Sequence, residues 1–100
     1  MRNIQNLKLM PDYNCFPLWC MDPDEYDNID PNELPLSNRL KQDLTAWAGR
    51  YDAILNWDDP VNSDFKSEEE EQQFKEDGKE LHQRLQEELK GKVKVTYYVP

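Results

Sequence analysis

The sequence predicts an α+β fold: a two-layer single domain in which an antiparallel two-helix hairpin packs on a small sheet that pairs the N- and C-terminal strands. Three observations support this prediction. Apolar residues recur at helical spacing in two segments, 36–57 and 67–90, and residues 93–99 alternate between the two faces of a strand. A short apolar run near the N-terminus supplies the second strand. The predicted order is strand, loop, helix, helix, strand, and 100 residues suffice for one such domain.

Both predicted strands lie at the ends of the chain. Residues 4–10 are rich in apolar side chains and stop at Pro11, which cannot continue a sheet ladder. The C-terminal strand is expected to place four side chains on one face: Val93, Val95, Tyr97 and Val99. A two-stranded ribbon is marginal by itself, so we expect it to bury one face against the helices.

Residues 11–35 are predicted to form a long acidic loop. Five prolines interrupt this segment and exclude a long helix. The apolar patch between Tyr13 and Trp19 is expected to fold back over the core. All three tryptophans are predicted to lie in the core or at its edge.

The first helix is predicted to follow Ser37, which is a suitable N-cap, and to run towards Trp57. Its apolar side chains fall on one helical face: Leu40, Leu44, Trp47, Tyr51 and Leu55.

The second helix is predicted to start after Ser67, with Glu70 completing a capping box, and to end at a cap on Gly91. Its buried stripe contains Phe74, Gly78, Leu81, Leu85 and Leu89. Gly78 is expected where this helix most closely approaches the first helix or a Trp ring. Glu68 to Glu71 lie in the first turn, where carboxylates stabilise the helix, so no binding role is needed to explain them.

The negative charge of the chain is regional. The net charge is −9, and residues 9–38 contain seven acids without a Lys or Arg, while residues 58–71 set seven acids against Lys66. Such a concentration presents a local field to a basic partner. It also argues against binding to nucleic acid or to an anionic membrane surface, because both repel an acidic protein.

The candidate binding residues are nine of the acids in these two regions and one neighbouring aromatic side chain. They are Asp22, Asp24, Glu25, Asp27, Asp30, Glu33, Trp57, Asp58, Asp59 and Asp64. Two interpretations of the first group stay open, a solvated loop and an acidic recognition surface. A calcium loop at residues 22–33 is disfavoured, because Asp27 stands where the tight turn requires Gly.

No residue set specifies catalysis, a metal site or a cofactor. The chain has three glycines and none of the glycine-rich motifs that bind phosphate or position a nucleophile. Cys15 and Cys20 have no second Cys pair, and His82 is the only histidine, so we expect free thiols and no zinc. His82 is predicted to lie on the surface or at the boundary of its helix. The chain shows no signal peptide or membrane-spanning run, which predicts a cytoplasmic protein.

Several motifs are similar to those of a group of small uncharacterised bacterial proteins. The opening Asp12-Tyr13 with Cys15-Phe16-Pro17-Leu18-Trp19 resembles their DYxCFPLW motif, and Leu34-Pro35-Leu36-Ser37 and Asp58-Asp59-Pro60 also match. The resemblance covers most of the chain after residue 8 and implies a bacterial single-domain protein, without assigning functional residues. In size and acidity alone, the chain is similar to immunity proteins that neutralise secreted toxins.

The leading hypothesis is therefore a cytoplasmic protein-binding module without catalytic activity, specifically an immunity protein or inhibitor of a basic toxin such as a nuclease. Two alternatives stay open: a small hydrolase whose carboxylates act as general acid and base, and a non-catalytic bacterial protein whose charge only keeps it in solution. The oligomeric state is not predicted.

Overall fold

The structure is a computed structural model, and it describes residues 4–23, 25–54, 65 and 67–99. Its elements are β1 (Asn6–Leu9), β2 (Leu18–Cys20), β3 (Asp27–Ile29), a 3-10 helix (Pro31–Glu33), α1 (Asn38–Asp52), α2 (Glu68–Leu89) and β4 (Lys94–Tyr97). The four strands form one sheet in the order β3-β2-β1-β4, and the two helices pack on one face of it. The predicted α+β class is confirmed.

The N- and C-terminal strands pair, as predicted, and they run parallel. Leu7 lies opposite Val95, and Leu9 lies opposite Tyr97. A parallel pair needs a long crossover connection, which the part of the chain containing α1 and α2 provides. β1 also pairs with β2 on its other side, and β2 pairs with β3, both antiparallel.

The segment 11–35 differs from the predicted loop, because it contains β2, β3 and the 3-10 helix. Pro17 and Pro23 lie outside the strands, where a missing N–H donor costs no ladder hydrogen bond. Leu18, Cys20 and Ile29 are buried against the helices. A strand of three residues is too short to show alternation in the sequence, so only its pairing partners reveal it.

Both helices begin where predicted, and of the predicted capping box at α2 the structure shows the Ser67 half. The Ser37 hydroxyl accepts a hydrogen bond from Leu40 N at 3.2 Å, and the Ser67 hydroxyl accepts one from Glu70 N at 3.1 Å. At the end of α2 the left-handed turn begins at Lys90, with φ of 50°, one residue before the predicted cap at Gly91. The predicted extension of α1 towards Trp57 falls on residues 55–57, outside those that the structure describes.

The helices are antiparallel. Ser37, at the start of α1, donates hydrogen bonds from its backbone N and hydroxyl to Glu88, near the end of α2, at 2.6 and 2.7 Å. Near the end of α1, Arg50 forms an ion pair of 2.7 Å with Asp77. Neither helix of the described segments is long and apolar enough to cross a membrane.

The core lies between the helices and the inner face of the sheet. Trp47 of α1 stacks on Phe74 of α2, with ring centroids 4.5 Å apart. The Trp47 indole N–H donates to the carbonyl of Phe74 at 2.9 Å, so the buried polar group is satisfied. This contact confirms that Trp47 belongs to the core.

Candidate functional site

The sheet has an inner face under the helices and an outer face on the opposite side. Side chains of a strand alternate between the two faces, and the strand register aligns Asn28, Trp19, Lys8 and Thr96 in one row across the outer face. Met21, Tyr26 and Tyr98 extend the same face beyond the strand ends. We call these seven residues the outer face.

Large exposed apolar side chains are concentrated on this outer face. Tyr26 is 71% exposed, Tyr98 is 53% exposed and Met21 is 39% exposed. Within the described residues, the only other such side chain is Phe16, whose backbone N donates to the Asn28 side chain at 2.9 Å. Exposed apolar groups gathered in one place mark interaction surfaces.

A groove lies at the β3 side of the outer face. Trp19, Met21, Tyr26 and Asn28 line it together with Cys20 and Asp27, and its volume is about 490 Å³. Two hydrogen bonds hold its walls in place. The Trp19 indole N–H donates to the carbonyl of Met10, and the Asn28 amide donates to the carbonyl of Leu18, both at 3.0 Å.

The two sides of the outer face differ in charge. At the β3 side, Asp27 is exposed and lines the groove, and Glu25 is exposed on the connection that precedes it, with its carboxylate within 4.8 Å of that of Asp22. At the β4 side, the Lys8 ammonium lies 5.0 Å from the centre of the Tyr98 ring, and the exposed Lys94 belongs to the edge strand. The groove therefore has acidic neighbours, whereas the β4 side is cationic.

Asp22 occupies a structural position. The residue is only 9% exposed. Its carboxylate accepts hydrogen bonds from the backbone N of Gln5 at 3.0 Å, the backbone N of Asn6 at 2.8 Å and the side-chain amide of Asn6 at 3.0 Å. The bond from Gln5 N contributes most to lowering the pKa of Asp22 below its usual value. The carboxylate thus joins the start of β1 to the end of β2. This position gives Asp22 a structural role.

The other described acids of this group lie at two neighbouring places. Glu25 and Asp27 are on the β2–β3 connection and on β3. Asp30 and Glu33 form a capping box on the 3-10 helix, because Asp30 Oδ1 accepts from Asn32 N at 2.9 Å and Glu33 Oε2 accepts from Asp30 N at 3.3 Å. The remaining candidates, Asp24, Trp57, Asp58, Asp59 and Asp64, lie outside the described residues.

One group of possible metal ligands occurs in the described part of the chain. The ligand atoms of Cys20, Asp22 and Glu25 lie within 4.8 Å of one another. Since the Asp22 carboxylate already binds the backbone of β1, its position is explained without a metal ion.

His82 lies at the boundary of its helix, as predicted. It is half-buried on α2, and its Nε2 lies 2.7 Å from the carbonyl oxygen of Val95 on β4, to which it can donate a hydrogen bond. Because β4 pairs only with β1 among the described strands, every second carbonyl of β4 points away from β1, towards the open edge of the sheet. The imidazole therefore covers a backbone group of an edge strand, which is a structural role.

Comparison with known proteins identifies the family. A family model described as Serratia CdiI immunity protein-like matches residues 5–100. The chain belongs to this CdiI-like immunity family. No curated protein matches the chain significantly. The family match supports the resemblance to immunity proteins that size and acidity had suggested.

For a CdiI-like immunity protein, the outer face is the feature that sequence reasoning missed. Trp19 was expected in or beside the core, but it lies half-buried on the outer side of the sheet. The apolar run Leu18-Trp19-Cys20-Met21 is the one sequence signal that could have indicated this face, because a strand would turn two of its side chains outward, and it is too short to distinguish a strand from a loop.

Proposed function

We propose that this member of the CdiI-like immunity family protects the cell that makes it by binding a toxin in the cytoplasm and covering the surface with which the toxin binds its substrate. The observation that carries this proposal is the family match over residues 5–100. The protein acts by occupying the toxin's substrate-binding surface and not by catalysis, so protection requires about one molecule of it for each molecule of toxin.

The charge of the chain supports a basic toxin, such as a nuclease. Enzymes that act on nucleic acid bind its phosphates through Lys and Arg side chains. A protein with a net charge of −9 is attracted to such a surface, and the exposed Glu25, Asp27 and Glu33 lie close together in the sequence. Opposite charges across an interface accelerate association and repel incorrect partners.

Co-expression tests the proposal. If a secreted effector is encoded immediately upstream of this gene, the toxin is sought there; otherwise a tagged pull-down followed by mass spectrometry identifies it. Cells that produce the toxic domain should survive when they also produce this protein. An unrelated toxin serves as the control, since protection against it should be absent.

The stoichiometry separates binding from catalysis. When purified protein is titrated into the toxin's activity assay, inhibition should become complete near equimolar amounts. Loss of toxin activity at far lower amounts would instead support the alternative hydrolase, and absence of both protection and inhibition would contradict the proposal.

A further inference from the structure

We propose that the toxin docks on the β3 side of the outer face, placing an apolar side chain in the groove between Trp19, Met21 and Tyr26 and Lys or Arg side chains beside Glu25 and Asp27. This inference rests on the proposed function, because it takes the toxin as the occupant of the groove. It assigns the strongest contacts to aromatic and apolar residues that charge alone does not reveal.

The groove is suited to an anchor because Tyr26 is exposed and the Trp19 ring is already fixed. Tyr26 exposes 71% of its surface, and the Trp19 ring is held by its hydrogen bond to Met10. Aromatic side chains dominate the binding free energy of many interfaces, and a side chain that is fixed before binding loses little entropy on contact.

Charge decides between the two sides of the outer face. A basic partner is attracted by Glu25 and Asp27 at the β3 side and repelled by Lys8 and Lys94 at the β4 side. The exposed Tyr98 lies against Lys8 and is therefore the less suitable aromatic contact. The β3 side alone combines exposed apolar groups with acidic neighbours.

The groove between the helices is a weaker candidate. It is lined by Trp47 and Leu81 and has a volume of about 250 Å³. Arg50 pairs with Asp77 at 2.7 Å and Arg84 pairs with Asp43 at 2.8 Å across it. A partner would have to replace these ion pairs within the chain before gaining contacts of its own, whereas the β3 side offers apolar side chains directly.

Two matched pairs of variants test the docking site, with the purified toxic domain as the probe and surface-immobilised wild-type protein as the reference. Tyr26→Ala should raise the Kd at least tenfold, mainly through faster dissociation, whereas Tyr98→Ala should change it less than twofold. Met21→Lys should weaken binding at least tenfold by placing a positive charge in the groove, while Thr96→Lys, on the β4 side, should weaken it less than threefold. All four side chains are exposed, and thermal melting verifies that each variant is folded.

The possible outcomes distinguish this inference from the proposed function. If the Tyr98 and Thr96 variants lose as much affinity as the Tyr26 and Met21 variants, or more, the docking site is not the β3 side. If all four bind like the wild type, the toxin binds elsewhere, so the inference is wrong while the immunity function stands. If the wild-type protein binds no toxin and gives no protection, both fail together.

Discussion

Trp47 of α1 lies directly against Gly78 of α2: a Cβ atom added to Gly78 would lie 2.7 Å from Cζ2 of the Trp47 ring and would also overlap the Tyr97 hydroxyl. This contact confirms the prediction that Gly78 marks the closest approach to the first helix or a Trp ring. Both rings donate hydrogen bonds to α2 carbonyls beside the glycine, Trp47 to Phe74 at 2.9 Å and Tyr97 to Lys75 at 2.8 Å. The absence of a side chain at Gly78 lets a helix residue and a strand residue pack on the same turn.

Replacing Gly78 should therefore destabilise the fold. Alanine gains about 1 kcal/mol in helix propensity but forces two aromatic rings to move, which costs about 2–3 kcal/mol, the upper part of the usual range for overpacking. We expect Gly78→Ala to lower the free energy of unfolding by about 1–2 kcal/mol and Gly78→Leu to lower it further. Thermal melting measures this, with a Tm loss of about 4–8 °C per kcal/mol for a domain of this size.

Gly49 provides the matched control. It lies in α1, and apart from its chain neighbours and the adjacent backbone of its own helix no atom lies within 4 Å of the Cβ position. Gly49→Ala should consequently stabilise the protein by about 0.5–1 kcal/mol. A Tm for Gly78→Ala at or above the wild-type value would show that the helix packing differs from this structure.

The stability of the protein should depend on the ionisation of Asp22. Hydrogen bonds from Gln5 and Asn6 lower the pKa of this carboxyl in the folded state. A group whose pKa is lower when folded stabilises the fold above its unfolded pKa, about 3.9, and this contribution disappears as the pH falls through the folded pKa. Asp22→Asn should therefore have a lower Tm than the wild type at pH 7, and the difference should shrink below pH 4.

Thermal melting of both proteins from pH 7 to pH 2.5 measures this difference. Glu25→Gln, which removes one charge from an exposed side chain of the same connection, should change the stability at pH 7 by less than about 0.5 kcal/mol. An Asp22→Asn protein as stable as the wild type at pH 7 would contradict the structural role of this carboxylate.

The two cysteines should be free and slow to react. Cys15 is half-buried, and burial, followed by the charges of Asp12 and Asp52, raises the pKa of its thiol, while Cys20 is 1% exposed. Since the thiolate is the reactive form, iodoacetamide at pH 7.5 should modify both only slowly in the folded protein and completely in urea.

Mass spectrometry of protein purified without reductant should show two free thiols and no zinc. One zinc ion per chain would overturn this prediction and would implicate Cys20, Asp22 and Glu25 as ligands.

The acids beside the groove should control the rate of association with the toxin. Glu25→Gln combined with Asp27→Asn should slow association and flatten its salt dependence, because exposed charges at an interface act mainly on the encounter. Glu68→Gln combined with Glu69→Gln removes the same charge from the first turn of α2 and should have a smaller effect. Stopped-flow association at low and moderate salt compares the two. If both double variants slow association equally, or if neither does, Glu25 and Asp27 have no specific role in attracting the toxin.

Local patterns in the sequence determined most of the secondary structure. Ser37 and Ser67 were recognisable as caps because a side-chain hydroxyl satisfies a helix N–H within three residues, and the apolar stripe of α2 repeats over several turns. The terminal strands were recognisable from β-branched and aromatic composition. These signals depend on neighbours along the chain, so they are present in the sequence itself. They also fixed the α+β class, since only packing of the helices on the strands buries both sets of apolar side chains.

Contacts between distant residues decided the rest. β2 and β3 have three residues each, and they exist as strands because β1 supplies the hydrogen-bonding edge on which they assemble. That pairing turns Trp19 outward and places it beside Tyr26, and it turns Asp22 inward onto β1. The sequence therefore determined that this region is acidic and rich in aromatic residues. Only the tertiary structure decided which acid is structural and which aromatic side chains face solvent, because the direction of a side chain on a short strand is set by its partners across the sheet.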